Sequence, residues 1–180
     1  MTEGNFAFLT EQEPQLALIR SLAERYWLDD ANTALIKTRQ FAELLAQNVA
    51  ARTGLLLVAG EGRLQLLERL TREAVVSPDV ARLFHEIRRS GNRANHSLQG
   101  DSLRGDRAEA LAQLHAAWVL GLWHMRTFFA PAFPLGEFLE PVPPVSVRTP
   151  ASACGNRRGD QTQRRAGRSA SRRTTGAGHQ

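Results

Sequence analysis

The sequence predicts an all-α fold, a bundle of about five helices that ends near residue 142. Apolar residues recur at three- and four-residue intervals through most of residues 14–129, which is the pattern of helices with one buried face. Beyond residue 142 large apolar side chains almost disappear, so that segment cannot bury enough surface to fold. We therefore expect one helical domain, residues 1–142, followed by a disordered tail, residues 143–180.

The first two helices are predicted between Pro14 and Gly54. The first covers residues 14–28, and Asp29 or Asp30 then caps the second by accepting hydrogen bonds from free backbone N–H groups. Gly54 ends the second helix. The predicted buried positions are Leu16, Ile19, Leu22, Ala23 and Tyr26 in the first helix, and Ala34, Leu35, Thr38, Phe41, Ala42, Leu45 and Val49 in the second.

The middle of the chain predicts two further helices. The apolar patch at 55–59 has no partner run that would make it a strand, so we interpret it as a helix end and a loop. Ser77 and Pro78 open the fourth helix, Ser77 as its cap and Pro78 at the first helical position. The third helix between them is predicted to bury Leu64, Leu67, Leu70 and Ala74.

The fifth helix, Ala108–Phe129, is apolar on more than one side, so we expect it to be the central and most buried helix. Its histidines, His115 and His124, are interpreted as core or boundary groups and not as ligands. Regular structure ends at Pro131, because the prolines that follow cannot continue a helix.

Charge is distributed unevenly along the chain, which has a net charge of +5. Residues 143–180 hold eight arginines and one acid, whereas residues 1–142 carry a net charge of −2. Lys37 is the only lysine beside 22 arginines, which indicates a GC-rich coding sequence. We interpret the tail as a frameshift product, and translating the DNA beyond the Pro143 codon in every frame tests this interpretation.

Cysteine content and hydropathy limit the possible classes of protein. The single cysteine, Cys154, allows no internal disulfide and no cysteine-based zinc site. No secretory signal or membrane-length apolar run is present, so we expect a cytoplasmic protein with no membrane contact. No metal or cofactor is expected.

The fourth helix carries the one pattern with possible chemistry. At about 100° per residue, His85, Arg89, Asn92 and His96 gather opposite the apolar face. Histidine can act as general acid or base and arginine can stabilise a phosphate, as in a metal-free ribonuclease. The alternative is an ordinary solvated face. Arg88 and Arg89 are expected to form salt bridges with nearby acids.

Three stretches of the sequence, in this order, resemble the N-terminal domain of type I restriction endonuclease R subunits, the HsdR proteins. They are NFAFL at 5–9, DDANTALIKTRQFAELLA at 29–46 and FHEIRRSGNRANH at 84–96. That domain looks like a member of the HEPN superfamily of helical bundles, and the resemblance covers about residues 5–142. It implies a truncated or stand-alone interaction domain that lacks the nuclease and helicase regions and contacts other restriction-modification subunits or nucleic acid.

The same resemblance implies a rival function. Ribonucleases of the HEPN superfamily carry an arginine, four to six residues and then a histidine on one helix, and Arg89 and His96 have six residues between them. In those enzymes two copies of the motif meet across a dimer. The rival is therefore a homodimeric, metal-independent ribonuclease with Arg89 and His96 at its site and Asn92 assisting.

Overall fold

The structure is a computed structural model that describes residues 4–55, 58, 60–97, 106–134 and 136–142. In these ranges it contains a 3₁₀ turn and five α-helices, and no strand, which confirms the predicted all-α class. The predicted tail lies outside the described residues. The elements are the turn Ala7–Leu9, α1 (Pro14–Tyr26), α2 (Ala31–Arg52), α3 (Arg63–Arg72), α4 (Pro78–Ser97) and α5 (Arg107–Phe128).

Polar caps define where three of the helices begin. The Asp30 carboxylate accepts a hydrogen bond from the backbone N–H of Thr33 at 2.9 Å, so α2 begins where the sequence predicts. The Ser77 hydroxyl accepts a longer bond, 3.4 Å, at the start of α4, and the Asp106 carboxylate accepts one of 2.8 Å at the start of α5. After α2, Gly54 adopts a φ of 72°, a left-handed conformation that glycine tolerates best.

The buried face of α3 differs from the prediction. Leu66, Leu67 and Leu70 are buried, whereas Leu64 is 38% exposed. Ala74 lies beyond the end of α3, with a φ of 56°, and is exposed. The prediction was wrong at Leu64 and Ala74 because a helix of 10 residues has too few turns for apolar spacing to identify its buried face.

The helix at the centre of the bundle is α2. It packs against α1, α3, α4 and α5, and it buries residues along its whole length. The expectation that α5 is the central helix is therefore wrong, although α5 is buried on several sides. None of the helices in the described ranges is both long and apolar enough to cross a membrane.

A fully buried arginine, Arg20 of α1, lies among the elements of the bundle. Its guanidinium donates to the Thr38 hydroxyl of α2 at 2.9 Å and to the Leu114 carbonyl of α5 at 3.3 Å. The guanidinium carbon also lies 4.2 Å from the centre of the Phe6 ring and 5.2 Å from that of Phe41. One charged group therefore contacts α1, α2, α5 and the N-terminal segment.

Burial makes this charge costly. Desolvation lowers the pKa of Arg20 from its ordinary value to about 9, and the negative charge of Glu24 opposes that shift. The Arg20 Nε has no acceptor within the described part of the chain. The side chain remains buried because its other nitrogens have hydrogen-bond acceptors and the two aromatic faces.

Residues 136–142, which we call the C-terminal strap, are held against the start of the chain. The Asn5 side chain donates to the Leu139 carbonyl and accepts from the Leu139 N–H, both at 2.8 Å. The Trp27 indole donates to the Pro141 carbonyl at 2.9 Å. The strap has no regular secondary structure, as the prolines from Pro131 onward predict, yet it is attached to the bundle.

A glycine allows α2 and α4 to approach closely. A Cβ atom added to Gly91 would lie 2.5 Å from the Cβ of Arg39, well inside ordinary van der Waals contact. Because the Arg39 Cβ is fixed to the α2 backbone, rotation of its side chain cannot relieve this clash.

We expect Gly91→Ala to lower the free energy of unfolding by about 1–3 kcal/mol, the usual cost of overpacking. At an exposed helical position the same change stabilises by up to about 1 kcal/mol, so the sign of the effect reports the contact with α2. Urea unfolding followed by circular dichroism measures it. Asn95→Ala, at an exposed position of α4, is the control. Unchanged or higher stability of Gly91→Ala would contradict the close approach.

Candidate functional site

The site predicted from the sequence lies on the outer side of α4. Arg89 and His96 are exposed, and Asn92 is half-buried. The helical spacing therefore placed Arg89 and His96 on the outward face, whereas Asn92 lies at the edge of that face, next to α2. The opposite face is buried and holds Phe84, Ile87, Gly91 and Ala94.

The structure does not bring the three residues together at one point. Arg89 and His96 are separated by two helical turns, a rise of about 10 Å. The Asn92 side-chain oxygen accepts a hydrogen bond of 2.8 Å from Arg39 of α2, so this amide fixes α4 against α2. A single chain thus presents an arginine and an imidazole at separate places along one helix.

Next to these residues, a shallow groove runs between the end of α3 and the first half of α4. Four basic side chains lie along it, and no carboxylate of the described residues lines it. The sequence pattern had indicated His85 and Arg89 but not the groove, because Thr71 comes from a different helix. The lining residues are Thr71, Pro78, Ala81, Arg82, His85, Arg88 and Arg89.

Two neighbouring arginines make the electrostatic potential at His85 more positive. Partial burial lowers the pKa of His85 first, and the charges of Arg88 and Arg89 lower it further, against an opposing effect of Glu68. The expected salt bridges of Arg88 and Arg89 were wrong as far as the structure describes the chain: neither forms an ion pair with a described carboxylate.

A second polar cluster is buried where the start of α1, the end of α2 and the end of α5 meet. One oxygen of the Glu13 carboxylate lies 3.1 Å from His124 Nε2 and accepts a hydrogen bond of 2.9 Å from Arg52. The other oxygen accepts from the Asn48 amide at 2.8 Å. Arg52 also stacks over the Phe129 ring, 4.2 Å from its centre.

A carboxylate beside an imidazole can serve as a general base, but His124 is fully buried and cannot reach a substrate. Burial lowers the pKa of His124, Arg52 lowers it further, and Glu13 raises it in part. The His124 Nδ1 has no partner among the described residues, so a second proton would bury an unpaired N–H. The cluster therefore connects the start of α1 to α2 and α5 and serves the fold. His124 is a core group, as predicted.

Little in the sequence pattern indicates this cluster. Glu13 precedes a helix-opening proline, and Asn48 and Arg52 lie one turn apart on α2, patterns that many helices share. Among the described residues no group of three or more histidines, cysteines and acids could hold a metal ion. The exposed face of α4 with its groove is thus the candidate functional surface.

The fold and this surface define a helical domain with a basic outer helix, and a comparison with curated proteins connects it to DNA restriction. The chain is 33% identical, over 145 residues, to the Type I restriction enzyme EcoKI endonuclease subunit of Escherichia coli (strain K12). The aligned region covers 76% of this chain and 12% of that subunit. No protein-family model matches the chain, and no solved structure matches it.

This similarity shows that the chain contains a region related to the endonuclease subunit of a type I restriction enzyme. The resemblance found in the sequence is confirmed at that level, whereas membership of the HEPN superfamily stays a prediction. Because the chain spans only 12% of its relative's length, the activity of that whole protein does not transfer to it directly.

The buried state of His124 predicts a loss of stability in mild acid. An unfolded histidine has a pKa near 6.5, and folding lowers that of His124, so below about pH 6.5 the unfolded chain binds more protons than the folded one. The free energy of unfolding should therefore decrease as pH falls from about 6.5 through the lower folded pKa, by at most about 1.4 kcal/mol per pH unit.

Urea unfolding at several pH values tests this, with His124→Gln as the variant that cannot titrate. We expect the glutamine variant to be less stable at neutral pH but to lose less stability in acid. His96→Gln, which changes an exposed histidine, is the control and should follow the wild type. The same pH dependence in wild type and His124→Gln would contradict the role given to His124.

Proposed function

We propose that this helical region is a non-catalytic interaction domain that docks onto another subunit of a type I restriction complex. The observation that supports it is the 33% identity to a restriction enzyme subunit over 76% of this chain. The frameshift origin of residues 143–180 and the cytoplasmic location stay predictions.

An exposed apolar surface on α1 and the C-terminal strap fits such docking. Leu18 is 61% exposed and Tyr26 36% on α1, and Leu139 is 65% and Val142 85% exposed on the strap. These two segments are tied together, because Trp27 at the end of α1 donates to the strap. We call these four residues the α1–strap surface. Exposed large apolar side chains of this kind are common at protein interfaces.

The docking proposal predicts co-purification. A tagged form of the full chain, produced together with the type I restriction subunits of the same genome, should elute with one of them at a fixed ratio in size-exclusion chromatography with light scattering. Leu18→Asp and Leu139→Asp should each weaken this complex, because a charge would be buried at the interface. Leu64→Asp, on an exposed leucine of α3, is the matched control. Absence of any complex would contradict the proposal.

The exposure of both Arg89 and His96 on one face of α4 favours a second candidate, the dimeric metal-independent ribonuclease. It predicts RNA cleavage in the presence of EDTA that His96→Ala abolishes and His115→Ala, at an exposed histidine of α5, retains. A cleavage assay with labelled RNA measures this. Cleavage that is absent, or equal in wild type and His96→Ala, would eliminate the ribonuclease candidate.

A further inference from the structure

The groove between α3 and α4 has the charge of an anion-binding surface, within a domain whose net charge is slightly negative. Residues 1–142 carry 15 basic and 17 acidic side chains, so the basic groove is a local feature and not an average property. Three arginines, Arg82, Arg88 and Arg89, line the groove together with His85, and no described carboxylate is among the lining residues. His85 adds no full charge at neutral pH, because its pKa is lowered by burial and by Arg88 and Arg89. Charges of one sign that share a cleft reinforce one another and attract counter-ions.

The acids around the groove do not neutralise it. Asp79 pairs with Arg82 alone, on the exposed side of the first turn of α4. Four effects shift the pKa of His85, and that of Glu68 of α3 is the weakest. Arg88 and Arg89 have no described carboxylate within ion-pair distance. Two guanidinium charges therefore remain available to a bound anion.

The basic surface continues beyond the groove along α4. Arg82, Arg89 and His96 recur every seven residues, and His85 and Asn92 lie between them. This row spans 14 residues, or about 21 Å of helix. One duplex strand places a phosphate about every 3.4 Å along its axis, so a row of this length matches about six nucleotides. A single small anion would occupy only one part of it.

We propose that the groove and the basic row of α4 bind the phosphate backbone of a polynucleotide. An acidic protein surface fits less well, because the groove offers only Pro78 and Ala81 as apolar contacts and protein interfaces usually need a larger apolar centre. The groove lining includes no phenylalanine, tyrosine or tryptophan ring on which a base could stack. The contacts are therefore to phosphates and independent of base sequence.

This inference stands apart from the docking proposal, since it concerns α4 and not the α1–strap surface. It is tested on the full chain by fluorescence anisotropy with labelled 20-nucleotide single-stranded DNA, single-stranded RNA and duplex DNA over a range of salt concentrations. We expect wild type to bind at least one of these probes with an affinity that decreases as salt rises. Comparing the three probes identifies the preferred type of polynucleotide.

Arg88→Gln/Arg89→Gln should weaken binding and reduce the slope of log affinity against log salt by about 1.4 for a single strand, two contacts of about 0.7 each. Arg82→Gln/Arg89→Gln changes two exposed residues. It provides a second measurement of binding in case substitution of the half-buried Arg88 impairs folding. The charge-matched control is Arg25→Gln/Arg107→Gln, on exposed positions of α1 and α5. Circular dichroism verifies that each variant is folded.

Three results would overturn the proposal. The first is no binding of any probe by wild type. The second is wild-type affinity in both groove variants, which would assign binding to the arginines of residues 143–180. The third is equal binding of labelled polyglutamate, which would indicate an acidic protein partner. Weakening in the groove variants together with an unaffected control supports the phosphate-binding surface.

Discussion

The buried charge of Arg20 constrains the arrangement of the whole bundle. A guanidinium without water is stable only where acceptors and aromatic faces surround it, and here they come from separate parts of the chain. If α2 or α5 moved, Arg20 would lose the Thr38 hydroxyl or the Leu114 carbonyl as an acceptor. One of its N–H groups would then be buried and unpaired, at a cost of about 1–3 kcal/mol or more. The interaction therefore selects one packing of α1, α2 and α5, which a purely apolar core would specify less strictly.

The same reasoning explains what the three stretches that carry the family resemblance do in this chain. NFAFL supplies Phe6 to the face of Arg20, and the second stretch supplies Thr38. The third stretch contains Gly91, which lets α4 lie directly against α2. Most of these residues serve packing, so the resemblance is a stronger argument for a shared fold than for a shared reaction. A related region can thus be retained in proteins whose chemistry lies elsewhere.

The sequence predicted features that depend on local interactions. Helix starts at Asp30 and Ser77 follow from side chains that cap nearby backbone groups, and the outward face of α4 follows from helical periodicity. Features that depend on distant residues were not predictable. Asn5 and Leu139 bond across 134 positions with no pattern that relates them, and apolar content alone did not identify α2 as the central helix.

The proposed docking surface and the proposed phosphate-binding surface lie on different helices of the domain. Both α1 and α4 pack on α2, so neither needs to move when a partner binds the other. Gly91 keeps α4 close to Arg39, and Asn92 bonds the same arginine, which prevents α4 from rotating about its axis. The basic row is therefore held towards solvent in a fixed orientation. The exposed side chains of Arg82 and Arg89 still lose rotamer freedom when they bind a phosphate, but the backbone that carries them is already ordered, which limits the total loss of conformational entropy.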